Sequence, residues 1–418
     1  MRTLGPYHIP RIFLIFLCWC TSWSYAEPRD SAPDPGCLLV ISAMSDVESK
    51  IGILLNLRRN QGWKITVWDA EKPSPDRVAA WIADERKKDI SISHVLLVGP
   101  DSQIPMSRRP CGSINKTRPD FGLLTDDVYG IPDATGTPQI AVGRLSAKTP
   151  EDLSRLAAKI VRYEENLKSI QPKIALFTGR QPASEQPGLF GISPQQVADG
   201  MASAFINDVS RQSRGFKLEP HTAFPGPFYS PFADFPKVFC KVLETRPAFV
   251  AYAGHANRSC FATYHSPTES SAITQNDISD FSIKGICGPF VSGGCSMVGP
   301  EADDYSIGEE LLFLSGGPVA VVGFPHENED YCVAQMFEIF ISEFSKPRRT
   351  TLGDLVLSVK QRLARQPQSP RSLMIQIAER ESGEFGSESG KTNYVQTALK
   401  NSALITLLGD PLTTVVIP

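Results

Sequence analysis

Two apolar runs in this sequence each end on a residue capable of nucleophilic chemistry. In "FVAYAGHANRS" (249–259), the run from Phe249 to Tyr252 delivers His255; in "GPFVSGGCSM" (288–297), Phe290 and Val291 lead through small residues to Cys295. An imidazole beside a thiol suits acyl transfer: the ring nitrogen removes the proton and the sulfur attacks an acyl carbon. The two lie 40 positions apart. They meet only if their strands are parallel neighbours with carboxyl ends on one edge, where ligands collect in open α/β sheets. Gly293 and Gly294 let a substrate backbone come close. The N–H groups of Cys295 and Ala256 are expected to face a developing oxyanion, one such donor being worth ~10²–10³ in rate. Against this stands a plainer reading, in which Cys295 is a small buried hydrophobe and His255 a hydrogen-bonded structural residue. His326, in "GFPHENEDY", follows another strand end and is expected to line the same edge. His94 opens a strand, and His221 and His265 sit in Pro-rich loops.

The elements that must hold these residues read as an α/β alternation. Strand-like runs at 37–43, 64–70, 94–100, 139–145, 173–179, 248–254, 289–293 and 317–324 are separated by amphipathic stretches. Helices are expected at 45–59, 75–89, 149–167, 194–209, 232–246, 306–316, 331–344 and 351–365. Ser74-Pro75 and Thr149-Pro150 are cap-and-start pairs. Near-continuous apolar strands between helices argue for parallel strands buried on both faces. Gln171-Pro172 divides the chain into two α/β units, 37–171 and 172–418. The segments 101–138 and 255–288 are long and irregular, which favours functional loops. The stretch 366–395, with "ESGEFGSESG", reads as flexible.

Of 418 residues, 41% are hydrophobic and the net charge is −3. Neither the balance nor any basic cluster points to nucleic acid. Arg2 and Arg11, the run "IFLIFLCWC" and the small residues before Ala26 read as a secretory signal peptide over 1–26, followed by a Pro-rich leader over 27–36. The mature chain is then expected to be secreted or to lie in the periplasm or cell envelope, with no transmembrane span. Of nine cysteines, Cys18 and Cys20 leave with that peptide. An oxidising compartment allows disulfides among the rest, and the odd remainder leaves at least one thiol out. No pair has the spacing of a zinc site. "NKT" at 115 and "NRS" at 257 are formal glycosylation sequons.

Several stretches, in order, resemble the gingipain-like cysteine peptidases of the caspase/hemoglobinase fold group. They are "DDVYG…PQIAVGRLSAKTPEDLSRLAAKIVRYE", "AYAGHANRS", "PFVSGGCSM…SIGEELLFLSGGPVAVVG" and the closing "LLGDPL". The resemblance implies two α/β/α sandwich subdomains with mostly parallel sheets, protein or peptide substrates, and no required cofactor. It matches His255 to the family's base and Cys295 to its nucleophile. Three positions depart from the family's pattern. Ala256 stands where glycine normally follows the histidine, and Gly294 where alanine commonly precedes the cysteine. Gln139 stands where relatives carry an acid that orients the histidine; it is the orienting candidate here, with Asp126, Asp127, Asp303 and Asp304 as possible substitutes. A pocket for a basic side chain would need a carboxylate, and Glu301, Asp303 and Asp304 are the candidates. The loop "EADD" also offers oxygens for calcium, without ligand spacing. Two other classes compete with the peptidase: a catalytically silent relative acting as a binding or scaffold module, and a two-lobed ligand-binding protein. The second lacks any G-x-G-x-x-G after a strand.

Overall fold

The computed structural model describes residues 35–71, 73–109, 123–131, 137–179, 203–263 apart from short stretches between 204 and 233, 270–299, 304–346, 350–382 and 394–416. Its first strand, β1 (Cys37–Ser42), is buried throughout, and alternate side chains serve opposite faces. Leu38 and Val40 share a core with Leu54 and Leu55 of helix Gly52–Asn60 and with Leu156 and Ile160 of helix Pro150–Glu165. Leu39 and Ile41 belong to a second core with Val78 and Ile82 of helix Pro75–Lys88. Ser74 and Thr149 cap those last two helices as their sequence predicts, each hydroxyl accepting the backbone N–H three residues on.

The strands that follow are β2 (Lys64–Asp69), β3 (Ile92–Val98), the antiparallel pair β4 (Ser107–Arg109) and β5 (Leu123–Thr125), β6 (Ala141–Leu145), β7 (Gln171–Thr178), β8 (Lys217–Thr222) and β9 (Pro247–Ala253). After them come the antiparallel pair β10 (Cys260–Thr263) and β11 (Ser270–Thr274), then β12 (Ile286–Cys287), β13 (Phe290–Ser292), β14 (Gly317–Pro318), β15 (Val321–Gly323) and β16 (Thr406–Leu408). Ten of these form one sheet in the order β2-β1-β3-β6-β16-β15-β13-β9-β7-β8. Within it every pairing is parallel except β15 with β16.

The two units read from the sequence are therefore halves of a single mixed α/β sheet, and β7 begins at Gln171, where the division was placed. The last strand joins them. β16 lies antiparallel to β15 over three residue pairs and meets β6 through one, Leu408 opposite Arg144. Strand direction reverses at that seam, so the carboxyl ends of β9, β13 and β15 share an edge with the start of β6. Aromatic rings fill the second half on both faces. Phe249 packs on Phe340 and Phe344 of helix Asp330–Phe344, while Phe290 and Phe177 meet Phe239 of helix Phe235–Glu244.

Two expectations change. The stretch 317–324 is two short strands, with Val319 and Ala320 between them. In the stretch 366–395, read as flexible, residues Pro370–Ser382 form a helix, started by the Ser369 hydroxyl accepting the Ser372 N–H (3.1 Å), while 383–393 lie outside the described residues. Among the described residues, none of Cys37, Cys240, Cys260, Cys287, Cys295 and Cys332 is joined in a disulfide. The segment 1–34, Cys111, the sequon at 115 and most of 194–209 lie outside the described residues. Among the described residues, no helix is long and apolar enough to cross a membrane.

A buried ionic group braces the seam. Arg58 donates to Asp410 (Nε to Oδ2, 2.8 Å) and to Glu164 (Nη1 to Oε1, 3.0 Å), with its side chain fully buried. Asp410 also accepts the Leu412 N–H (3.0 Å), and Glu164 the Thr414 N–H (2.8 Å). Replacing the cation strands two buried carboxylates, and breaking such a group by removing one partner costs about 3–5 kcal/mol. Arg58→Met is expected to lower the unfolding free energy read from urea titration by that amount, with a lower midpoint at unchanged slope; an unchanged midpoint would remove Arg58 from the joint between the halves.

Candidate active site

The site forms where β9 and β13 end. These strands pair in parallel with Phe290 opposite Val250, Val291 opposite Ala251 and Ser292 opposite Tyr252. Three residues beyond that last pair stand His255 on one strand end and Cys295 on the next, so the register brings them to neighbouring positions on one edge. The Gly293 N–H donates to the Tyr252 carbonyl (2.9 Å), which carries the pairing one step past the strand.

Each turn is then tied down separately. On the histidine side, the buried Tyr252 hydroxyl donates to the His255 carbonyl (2.7 Å), and the Gly179 N–H at the end of β7 donates to Ala253 (2.8 Å). On the cysteine side, the Gly294 N–H donates to the Ser292 hydroxyl (2.9 Å), and the Asn328 side-chain amide donates to the Gly293 carbonyl (3.1 Å). Ser296 takes the left-handed conformation at φ 54, which costs a non-glycine residue of order 1–3 kcal/mol and collects at functional turns. Its N–H donates to the His326 carbonyl (3.2 Å). Arg258 joins the two turns: its guanidinium donates to the carbonyls of Gly299 and Asp304, and its own carbonyl accepts the Ile307 N–H (2.8 Å).

The environment of Cys295 keeps its thiol protonated. Burial pushes it up to about 11; a hydrogen bond from the Asn328 backbone N–H works in the opposite sense, while Asp330, Glu327 and Glu329 raise it further. Glu329 is held by Lys400 (3.1 Å) and by the side chain of Asn401. The charged groups that dominate the field at the sulfur are thus acidic.

The other expected site residues separate. Ala256 lies in the histidine turn and its φ is not positive, so the backbone there suits alanine as well as glycine. His326 does reach the edge, and its Nε2 accepts the Leu124 N–H (2.9 Å), tying the β5 strand to the loop after β15. Gln139 precedes β6 on the same edge, with its N–H on the Gly130 carbonyl (2.7 Å). Three strands stand between β6 and β9, however. Asp126 is committed to Arg144 through two short bonds (2.8 and 2.6 Å), and Asp127 to Lys360 (3.0 Å). Asp304 is exposed and enters through its carbonyl. Glu301 and Asp303 lie outside the described residues. Tyr252, Ser292, Arg258 and Asn328 were not singled out from sequence. Asn328 had the clearest signal, since it stands in the polar "HENED" that follows a strand end, as His255 does.

The family model for peptidase family C25 matches residues 31–416. No curated protein matches the chain by sequence. Among solved structures, the Arg-specific cysteine proteinase gingipain R is similar at a TM-score of 0.62 and 16% identity, over 93% of this chain and 80% of that one. The complex of the pro- and mature domains of RgpB from Porphyromonas gingivalis gives a TM-score of 0.59 at 17% identity, over 90% of this chain and 79% of that one. Edge geometry, fold and family agree: the chain belongs to peptidase family C25, the cysteine-type endopeptidases of gingipain kind.

Proposed function

We propose that this endopeptidase acts through Cys295 as nucleophile and His255 as general base, in a chain exported after removal of residues 1–26. The observation that supports it is the in-register parallel pairing of β9 with β13, which gives both groups one edge. In the proposed sequence, His255 takes the thiol proton as the sulfur bonds to the peptide carbonyl carbon. The carbonyl electrons move to oxygen, facing the N–H groups of Cys295 and Ala256. Collapse of that intermediate breaks the C–N bond, and the imidazolium passes its proton to the leaving amine. Water, deprotonated by His255, then cleaves the thioester and restores the thiol. No step requires a cofactor, and Gln139 stays the candidate to orient the His255 ring through its amide oxygen. His326 contributes a wall of the substrate site and a brace to β5.

A second reading, a silent binding module of the same fold, is favoured by the thiol being pushed up to about 11 rather than down. Reactivity of the resting thiol does not separate the two readings, because a neutral thiol can still be activated within the attack step. Turnover does. Purified mature protein incubated with a peptide library is expected to cleave, with Cys295→Ala and His255→Ala each reducing kcat by about 10³-fold or more. Equal cleavage by wild type and Cys295→Ala would end the assignment; no cleavage by any of the three would favour the silent module.

The raised thiol also fixes a pH profile. The thiolate fraction is small at neutral pH and grows about tenfold per unit until the pKa is reached. Alkylation by iodoacetamide, followed by mass spectrometry on the Cys295 peptide, is therefore expected to accelerate steadily from pH 7 to 10. A plateau already reached below pH 8 would mean a resting thiolate and contradict the buried, acid-flanked environment.

A further inference from the structure

Three glycines stand at the two turns, each for a different reason. A Cβ on Gly254 would come within 2.7 Å of the Tyr252 hydroxyl and 2.9 Å of the Gly179 backbone, so strand packing excludes it. On Gly293 it would meet Val333 at 2.4 Å and Phe337 at 3.0 Å, both on helix Asp330–Phe344. At Gly294 the obstacle is a single methyl. The Cβ of Ala256 lies 2.4 Å from where a Cβ would stand, and the next atoms, Ser292 Oγ and Ala256 N, are at 3.2 and 3.3 Å. Carbon atoms pack at about 3.5–4.0 Å, so the two turns leave room for one Cβ and not for two. Neither residue has a positive φ. The glycine at 294 is therefore demanded by its neighbour's methyl, not by its own backbone.

We propose that Ala256 and Gly294 act as one steric unit, in which a single methyl between the turns sets the spacing of His255 and Cys295 and can be supplied from either side. The inference rests on the dyad proposed above for its effect on rate, and on packing alone for its effect on stability. The backbones that carry the unit cannot simply swing apart. Tyr252 holds the His255 carbonyl, Ser292 and Asn328 hold residues 293–294, and Arg258 ties the following loops together. A second methyl must then displace the reacting groups. Ala256 and Gly294 are in this sense positioning residues.

The test is a cycle of four proteins: wild type, Gly294→Ala, Ala256→Gly and the double exchange, each measured for kcat, KM and Tm. Gly294→Ala is expected to lower kcat by about 100-fold, the scale of an ångström-sized misplacement, with KM little changed, and to lower Tm by a few degrees. Ala256→Gly should lose less. The double exchange is expected to recover kcat to within about tenfold of wild type and to regain the lost Tm. A double variant as impaired as Gly294→Ala, or a Gly294→Ala protein with wild-type kcat and Tm, would overturn the unit. If no variant cleaves peptides, the dyad fails while Tm still decides: rescue in the double exchange supports the unit, and additive losses overturn it.

Discussion

The geometry of the edge depends on one parallel pairing, β9 against β13. A slip of one residue would turn every side chain of β13 to the other face and set Gly254 or Ala256 level with Cys295. Both ends of the pair resist it. At the entrance, a Cβ on Gly288 would fall 1.9 Å from the Ala248 carbonyl oxygen, and its N–H donates to Pro247 (2.8 Å). At the exit, Gly293 donates to Tyr252. Between them Phe290 is seated against Phe239 and Phe261, which also fixes the face on which it lies. The strand needs only three residues because contacts outside it carry the alignment.

That alignment places the proposed nucleophile in an unusual field. Cys295 is close to the start of helix Asp330–Phe344, an end that ordinarily favours negative charge. Asp330, Glu327 and Glu329 oppose that preference, and burial adds to them. A free thiolate is disfavoured on both counts. In the proposed mechanism the proton leaves as the carbon–sulfur bond forms, which puts more of the chemistry on the proposed base and N–H donors than on the thiol itself. The stiffness of the His255 turn, with Tyr252 and Gly179 holding its backbone, matters correspondingly more.

Much of this was legible in the sequence where local rules decide. The apolar strands, the Ser74 and Thr149 caps and the positions of His255 and Cys295 at strand ends all follow from periodicity and capping chemistry. The merger of two units into one sheet was not, because it hangs on β16, a three-residue strand near the end of the chain that meets β6 through one residue pair. Helix Pro370–Ser382 was hidden by the composition of "ESGEFGSESG" beyond it, although Ser369-Pro370 is the same cap-and-start signal as Ser74-Pro75. Arg258 and Tyr252 act through backbone carbonyls, which no spacing of side-chain types reveals. Gln139 was named by its place in a motif, whereas the strand order around it is a property of the whole sheet.

The stretches that carried the family resemblance divide the same way. "GHA" and "GGC" build the reacting edge, but "DDVYG", "GR" and "GDP" hold the seam. Arg144 grips Asp126 and donates to the carbonyls of Gly99 and Ile104 (both 2.9 Å), while its own carbonyl accepts the Gly409 N–H (2.8 Å). Gly409 has φ 144 and comes so close to Ala320 that a Cβ would stand 2.7 Å away; the next residue, Asp410, is the partner of Arg58. With so little strand pairing between β6 and β16, buried charge and one closely packed glycine supply the connection that the ladder does not. Asp126 and Asp127 are each paired with a buried cation, Arg144 and Lys360.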